Sequence, residues 1–151
     1  MKVMLILVVL LLAGCAAGPW TTAGAGHRAQ PVCGALNPSP ETVTLDDFTV
    51  SWVLRCPVHF PGRPLVTDRA DGPATEAMRL LKLASDPVYR ACATTGWNLP
   101  DYVLVDAAGN GIQPDLPTNG CEPKKSVVDA LDALPFHTVK TESTGPPIGH
   151  G

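Results

Sequence analysis

The feature that most constrains the fold is a set of four well-separated cysteines in a chain with little material for a large core. They are Cys33, Cys56, Cys92 and Cys121. The chain has 16 prolines and 14 glycines, and only 5% of its residues are aromatic, so we expect a modest core that needs covalent support. No two of these cysteines have the C-x2-C spacing typical of zinc and dithiol redox sites. Their even number in an exported chain predicts two structural disulfides, for which three connectivities are possible.

The first residues predict export. Lys2 supplies a positive charge, and Val3–Leu12 form an unbroken apolar run. A run of about ten residues is too short for a helix that crosses a bilayer, which needs roughly 20, but it fits the core of a signal peptide. The sequence "LAGC" that follows resembles the bacterial lipobox, whose cysteine, here Cys15, receives diacylglycerol. The alternative is an ordinary secretory signal cut after a small residue such as Ala17, which would remove Cys15.

The lipobox interpretation divides the chain into four parts. Residues 1–14 are a lipoprotein signal peptide, and residues 15–40, rich in Gly, Ala, Pro and Thr, are a flexible tether. Residues 41–141 form the folded domain and residues 142–151 a disordered tail. Two acyl chains on Cys15 would hold the protein on the extracytoplasmic face of the cell membrane, since each buried CH2 contributes roughly 0.8 kcal/mol. The net charge of −3 and the absence of a basic patch argue against nucleic acid as a partner.

The strand pattern is clearest in the segment that ends at Cys56. Its apolar side chains alternate as in a half-buried strand, while the intervening residues face the other way. The residues of the apolar face are Phe48, Val50, Trp52, Leu54 and Cys56. A second strand is predicted over Tyr102–Val105, and Asn110-Gly111 tolerate positive φ, so a hairpin return is expected there. The sequence "FHTVK", residues 136–140, predicts an edge strand.

Two segments predict short amphipathic helices. The first lies in "DGPATEAMRLLKLASD", residues 71–86, and the second in "KKSVVDALDALPF", residues 124–136. The apolar stripe of the first is Ala77, Leu80, Leu81 and Ala84. The inward residues of the second are Val127, Val128, Leu131 and Leu134. The order of elements predicts an α+β fold, in which a small antiparallel sheet carries two helices on one face and is stapled by two disulfides.

No motif of catalysis, metal binding or cofactor binding is indicated, so we expect neither an enzyme nor a cofactor. A G-x-S-x-G sequence is absent. The segment "DAAGNG" lacks the ligands of a calcium loop, because its third residue is Ala108 and its twelfth position is Pro117, and it predicts a hairpin turn instead. Two histidines, His59 and His137, lie within the predicted domain, and we expect both to be exposed. An enzyme built on them would need both to lie within reach of carboxylates.

Several segments together resemble the subtilisin-inhibitor-like family of small exported serine-protease inhibitors. The strand "TVSWVLRC" is followed by the loop "PVHFPGRP" and by the helix "ATEAMRLLKLA". The segment "CATTGWNLPDYVLVDAAGNG" is similar to the family's second cysteine-led loop, strand and turn, and "TNGC" is similar to its last cysteine. The resemblance covers Phe48–Cys121 and implies an α+β domain with two disulfides.

The resemblance also implies a binding loop. The family offers a substrate-like loop just after a cysteine that corresponds to Cys92, and its primary-specificity residue would be Thr94. The scissile bond would then be Thr94–Thr95. The implied protein-binding residues are Ala93, Thr94, Thr95, Gly96 and Trp97.

The same resemblance implies the pairing Cys92–Cys121, which leaves Cys33 for Cys56. The family's helix carries the cysteine that bonds to the end of the first strand, whereas the predicted helix here has none, so Cys33 would take that place from upstream. The sequence therefore predicts a lipid-anchored, non-catalytic protein that binds and inhibits a subtilisin-like serine protease. The alternative is an envelope lipoprotein that supports structure or binds another envelope protein, without inhibition.

Overall fold

The computed structural model describes residues 23–33, 39, 41–60, 62–88, 92 and 98–143. In this part of the chain, nine strands and two helices are present. The strands are Ala25–Ala29 (β1), Thr42–Thr44 (β2), Trp52–Cys56 (β3), Leu65–Asp71 (β4), Asp101–Val105 (β5), Gly111–Pro114 (β6), Thr118–Asn119 (β7), Glu122–Pro123 (β8) and His137–Glu142 (β9). The helices are Thr75–Leu81 (α1) and Lys125–Asp132 (α2). Within the described residues, neither helix is long and apolar enough to span a bilayer.

Seven of the strands form one antiparallel sheet. Its order is β2-β1-β6-β5-β3-β4-β9, and β7 and β8 form a separate two-stranded ribbon. The α+β class predicted from the sequence is confirmed, but the sheet is larger than the small sheet expected. The predicted hairpin is present as β5 and β6, and the predicted edge strand is β9, which pairs only with β4 among the described strands.

Both helices pack against one face of the sheet. Residues of α1 and α2 share a buried cluster with Val53 and Leu104 of the central strands. The opposite face carries a smaller cluster of Leu54, Val103 and Val105 beside the Cys33–Cys56 disulfide. The predicted half-buried character of β3 is therefore wrong, because both of its faces are covered.

Two predicted apolar stripes need correction in detail. Trp52, Leu54 and Cys56 share a face as expected, but Phe48 and Val50 belong to the cluster on the helix side, because the regular alternation begins only where β3 begins at Trp52. Helix α1 ends at Leu81, so the predicted stripe residue Ala84 lies beyond it and is exposed. In α1 the buried positions are Ala77, Met78, Leu80 and Leu81.

The predicted flexible tether is wrong over Ala25–Ala29. This segment is β1, which lies inside the sheet and pairs with both β2 and β6. Gly26 explains how this segment forms an inner strand: a Cβ there would lie 2.7 Å from Cγ2 of Ile112 and 2.8 Å from the carbonyl oxygen of Gln113. The small residues therefore permit close approach of two strands rather than flexibility. The predicted disordered tail, residues 142–151, is wrong at its first residue, since Glu142 belongs to β9.

The turn between β5 and β6 is closed by Asp106. Its carboxylate accepts hydrogen bonds from the backbone N–H of Ala108 at 2.9 Å, from that of Asn110 at 2.8 Å and from Nδ2 of Asn110 at 2.8 Å. The hydrogen bonds from Asn110 lower the pKa of this carboxyl group. The positive φ of the turn, 86°, falls on Gly109 rather than on the predicted Asn110-Gly111 pair.

A polar network joins α2 to the sheet. The Tyr102 hydroxyl donates to the Asp132 carboxylate at 2.7 Å, and Nη2 of Arg55 contacts the Asp68 carboxylate at 2.8 Å. Burial and the hydrogen bond to Asp132 raise the pKa of Tyr102. The Arg55 guanidinium also lies 4.3 Å from the centre of the Phe136 ring. The C-terminal end of α2 is thus held in place by directional contacts as well as by apolar packing.

Candidate functional site

The binding loop implied by the resemblance begins at a disulfide. Cys92 is bonded to Cys121, 29 residues later, and Cys33 to Cys56, so both implied pairings are confirmed. The predicted binding residues themselves lie outside the described residues, as does the predicted lipidation site Cys15. They are Ala93, Thr94, Thr95, Gly96 and Trp97. The structure describes what holds the two ends of this loop.

The chain before the loop is fastened to the β7–β8 ribbon. The backbone N–H of Asp86 donates to the carbonyl oxygen of Thr118 at 2.8 Å, and the N–H of Thr118 donates to Oγ of Ser85 at 3.0 Å. The Lys124 ammonium lies 2.8 Å from the Asp86 carboxylate. Together with the disulfide at Cys92, these contacts link the incoming chain to the ribbon over a short stretch of sequence.

The chain after the loop enters the middle of the sheet. Strand β5 begins at Asp101, which is paired with Cys56 of β3. Nε2 of Gln113 donates to the Asp101 carboxylate at 3.1 Å, and Val103 and Leu104 are fully buried two and three residues further on. The segment 93–97 therefore follows a disulfide-bonded residue and precedes β5, which is one of the best-packed strands in the described part of the chain.

A cleft of about 510 Å³ lies beside the returning chain. The disulfide Cys33–Cys56 and the apolar side chains of Val58, Leu65 and Leu99 form part of its wall. Its position follows from the register of β3 and β4, because Thr67 and Cys56 project from the sheet face opposite the helices. The sequence did not predict this cleft, because no local pattern indicates that residues of β4, β5 and β9 line a common pocket.

The structure does not bring His59 and His137 together. His59 lines the cleft near Glu142, whereas His137 lies at the other end of β9 and is 3.9 Å from Asp71. His137 and Glu142 are five residues apart on one strand, which corresponds to about 16 Å. The described residues contain no group of three His, Cys, Asp or Glu side chains arranged to hold a metal ion.

His27, assigned to the tether from the sequence, lies in β1. Its Nδ1 is 3.1 Å from the carbonyl oxygen of Ser39, and its Nε2 is 3.6 Å from the Asp115 carboxylate. These contacts fix the strand to a neighbouring loop, so His27 has a structural position.

Comparisons of this chain with protein-family models, with curated proteins and with solved structures find no match. The resemblance to the subtilisin-inhibitor-like family therefore depends on the sequence motifs and on the arrangement of cysteines described above.

Proposed function

We propose that this protein is an extracytoplasmic lipoprotein whose domain binds and inhibits a subtilisin-like serine protease through residues 93–97. The observation that carries the proposal is the double fastening of this segment. A disulfide and three polar contacts hold the chain before it, and the start of β5 holds the chain after it. A loop fixed at both ends loses little conformational entropy when it is bound, which favours tight binding through an interface of ordinary size.

The second disulfide supports the same assignment. Helix α1 has no cysteine, and Cys33, which follows β1, bonds to the end of β3. The cross-link at the end of this strand is thus retained with a partner from a different part of the chain. The arrangement needed to present the loop does not depend on the missing helix cysteine.

Anchoring through Cys15 would place the domain close to the membrane. Because β1 begins at Ala25, about ten residues separate the proposed lipid from the sheet, and a chain of that length spans at most about 36 Å. The partner would therefore act at the membrane surface. Replacing Cys15 with Ser should release the protein from washed membranes into the soluble fraction, whereas retention of the variant would contradict lipid anchoring.

Inhibition is tested with the oxidised protein from residue 15 onward, carrying Cys15→Ser for solubility. Residual activity of subtilisin-like and trypsin-like proteases is measured, and cleavage of the inhibitor is followed by mass spectrometry. We expect inhibition of the subtilisin-like enzyme with a slow single cut between Thr94 and Thr95. Thr94→Arg should shift inhibition toward the trypsin-like enzyme, because a basic side chain at the specificity position fits its pocket.

The matched control is Thr42→Arg, which makes the same change at an exposed position of the edge strand β2. It should leave the inhibition of both proteases unchanged. Absence of inhibition, with residues 93–97 either intact or cut freely, would contradict the proposal and favour an envelope protein that binds another partner.

A further inference from the structure

We propose that the cleft beside the Cys33–Cys56 disulfide is a second binding site, which takes an arginine side chain from an extended polypeptide. This site stands independently of what residues 93–97 bind. It lies on the sheet face opposite the two helices. Its volume of about 510 Å³ falls within the range of roughly 300–1,000 Å³ that is usual for ligand pockets.

The apolar part of the cleft suits the stem of a long side chain. Val58, Leu65 and Leu99 line it together with the Cys33–Cys56 disulfide. Arginine carries three methylene groups, which pack on apolar surface while the charged head reaches polar partners. A compact polar ligand would leave these side chains uncovered.

Thr67 provides the first polar partner. Only 6% of its surface is exposed, and it lines the cleft from β4. Its hydroxyl makes no hydrogen bond to any group in the described part of the chain, where the fully buried side-chain polar atom without a partner is Oε1 of Gln113, so the Thr67 oxygen keeps some contact with the solvent in the cleft. The oxygen is thus available to accept a hydrogen bond from a ligand in the cleft.

The charge of the lining selects a cation. Asp101 and Glu142 are the acidic residues of the lining, whose described part contains neither Lys nor Arg and has His59 as its other ionisable residue. Glu142 also contacts Lys140 at 2.9 Å, but these side chains are 46% and 60% exposed, so an incoming cation displaces that pair at little cost. A planar guanidinium donates several hydrogen bonds in a fixed fork, which suits two carboxylates and a hydroxyl better than a single ammonium does.

The surroundings of the cleft favour a polypeptide over a free small molecule. Val32 and Phe60, which adjoin the lining residues Cys33 and His59 in sequence, are 49% and 41% exposed. The ring of Phe60 also contacts the Arg63 guanidinium at 5.8 Å. Exposed apolar side chains next to a pocket offer contact surface to the residues that flank an inserted side chain.

The test is a binding titration of the oxidised protein from residue 15 onward, carrying Cys15→Ser. The probe is the peptide acetyl-Leu-Arg-Leu-amide, and binding is followed by calorimetry and by amide chemical shifts. We expect shifts at residues 58–60, 65–67 and 99–101. The peptide with citrulline, which has the same shape but no charge, should bind at least about tenfold more weakly, as should ethylguanidinium, which has the head but no flanking residues.

Two variants locate the site, and one controls for charge. Thr67→Val removes the hydroxyl with almost no change of shape, and Glu142→Gln removes one carboxylate. Each variant should bind the arginine peptide with an affinity about tenfold lower. Asp47→Asn removes one negative charge at an exposed position outside the cleft lining and should change the affinity less than about twofold.

Three outcomes would overturn the proposal. The first is that the citrulline peptide binds as tightly as the arginine peptide. The second is that ethylguanidinium binds as tightly as the arginine peptide, which would indicate a site for a small free molecule. The third is that both Thr67→Val and Glu142→Gln leave the affinity for the arginine peptide unchanged. Circular dichroism checks that each variant is folded, and if Thr67→Val is not, Glu142→Gln decides. No protease takes part in the assay, so its result is separate from the outcome of the inhibition experiment.

Discussion

Among single residues, Arg55 and Asp68 form a partly buried ion pair between neighbouring strands. The Asp68 side chain is 15% exposed, and it accepts hydrogen bonds from Nη2 of Arg55 and from the Thr138 hydroxyl, both at 2.8 Å. Burial alone would raise the pKa of this carboxyl group, but the hydrogen bonds and the charge of Arg55 outweigh burial and lower it. The ionised form of Asp68 is therefore stabilised by folding.

Asp68→Asn should lower the free energy of unfolding by about 1.5–3 kcal/mol at pH 7, the usual contribution of hydrogen bonds to a charged group. Because the folded pKa lies below the unfolded one, this contribution is complete above the unfolded value and is lost as the pH falls through the folded value. The difference between the wild type and the variant should therefore shrink on acidification. Denaturant unfolding at pH 7 and near pH 2 measures both quantities.

Asp47→Asn serves as the control for this residue, because Asp47 is an exposed aspartate that belongs to none of the strands that carry Arg55, Asp68 and Thr138. It should change the stability by less than about 0.5 kcal/mol at either pH. A destabilisation by Asp68→Asn that is equally large near pH 2 would show that packing, and not charge, accounts for the effect.

Among the secondary-structure elements, β1 differs most from what the sequence predicted, which was a flexible tether. Its sequence, "AGHRA", has neither an apolar period nor β-branched residues, so it resembles a linker. It is nevertheless an inner strand, because it has a neighbour on each side and because Gly26 lets β6 approach closely. Strand formation here is imposed by tertiary pairing, which a local pattern does not report.

Gly26→Ala should lower the free energy of unfolding by about 1–3 kcal/mol, the usual cost of an added group in a closely packed position. The added Cβ would meet the carbonyl oxygen of Gln113 as well as Ile112, and backbone does not move aside as a side chain does. Arg28→Ala is the control in the same strand. Its side chain is 62% exposed and only loosely paired with Glu41, so its loss should cost less than about 0.5 kcal/mol.

Denaturant unfolding of both variants measures the difference. If residues 25–29 behaved as a tether, Gly26→Ala would leave the stability unchanged. A shortened chain starting at Pro31 gives a second test, since it lacks β1 and leaves β2 and β6 without their shared partner. We expect it to lose cooperative unfolding.

The elements that the sequence did predict are those with a strong local signal. The turn residues of "DAAGNG" and the apolar run before them predicted β5, and the spacing of Val127 and Leu131 predicted α2. Strand β4 was not predicted because "LVTDRAD" places charged residues where a strand pattern expects apolar ones. Thr67 and Asp68 pair with residues of β9, Asp68 also pairs with Arg55 of β3, and the Arg69 guanidinium lies over the Trp52 ring. Only the folded chain brings these partners together.

The two candidate sites, the loop of residues 93–97 and the cleft, also differ in how far the sequence predicted them. The cysteines that fasten the loop were visible in the sequence, and the resemblance supplied their pairing. The cleft could not be predicted, because Thr67, Asp101 and Glu142 belong to three strands whose neighbourhood is set by the sheet order. Sequence reasoning therefore identified a covalent framework but not a pocket assembled across strands.

At the scale of the whole molecule, the two disulfides secure different regions. Cys33–Cys56 covers part of the sheet face that has no helix, where the apolar cluster is small. Cys92–Cys121 fastens the chain before residues 93–97 to the β7–β8 ribbon. The bonds span sequence separations of 23 and 29 residues, so chain entropy predicts that each stabilises the fold by about 3–4 kcal/mol.

The sum of these contributions is comparable to the entire stability of a typical domain, about 5–15 kcal/mol. We therefore expect Cys33→Ala/Cys56→Ala and Cys92→Ala/Cys121→Ala each to remain folded but to unfold at lower denaturant concentration, and the fourfold variant to be largely unfolded at 37 °C. Only the loss of Cys92–Cys121 should also weaken protease inhibition, because only this bond fastens the proposed binding loop. Urea unfolding and inhibition assays on the three variants separate the two effects. Equal loss of inhibition in both double variants would mean that the disulfides act through global stability alone, and an unaffected fourfold variant would mean that the core suffices without them.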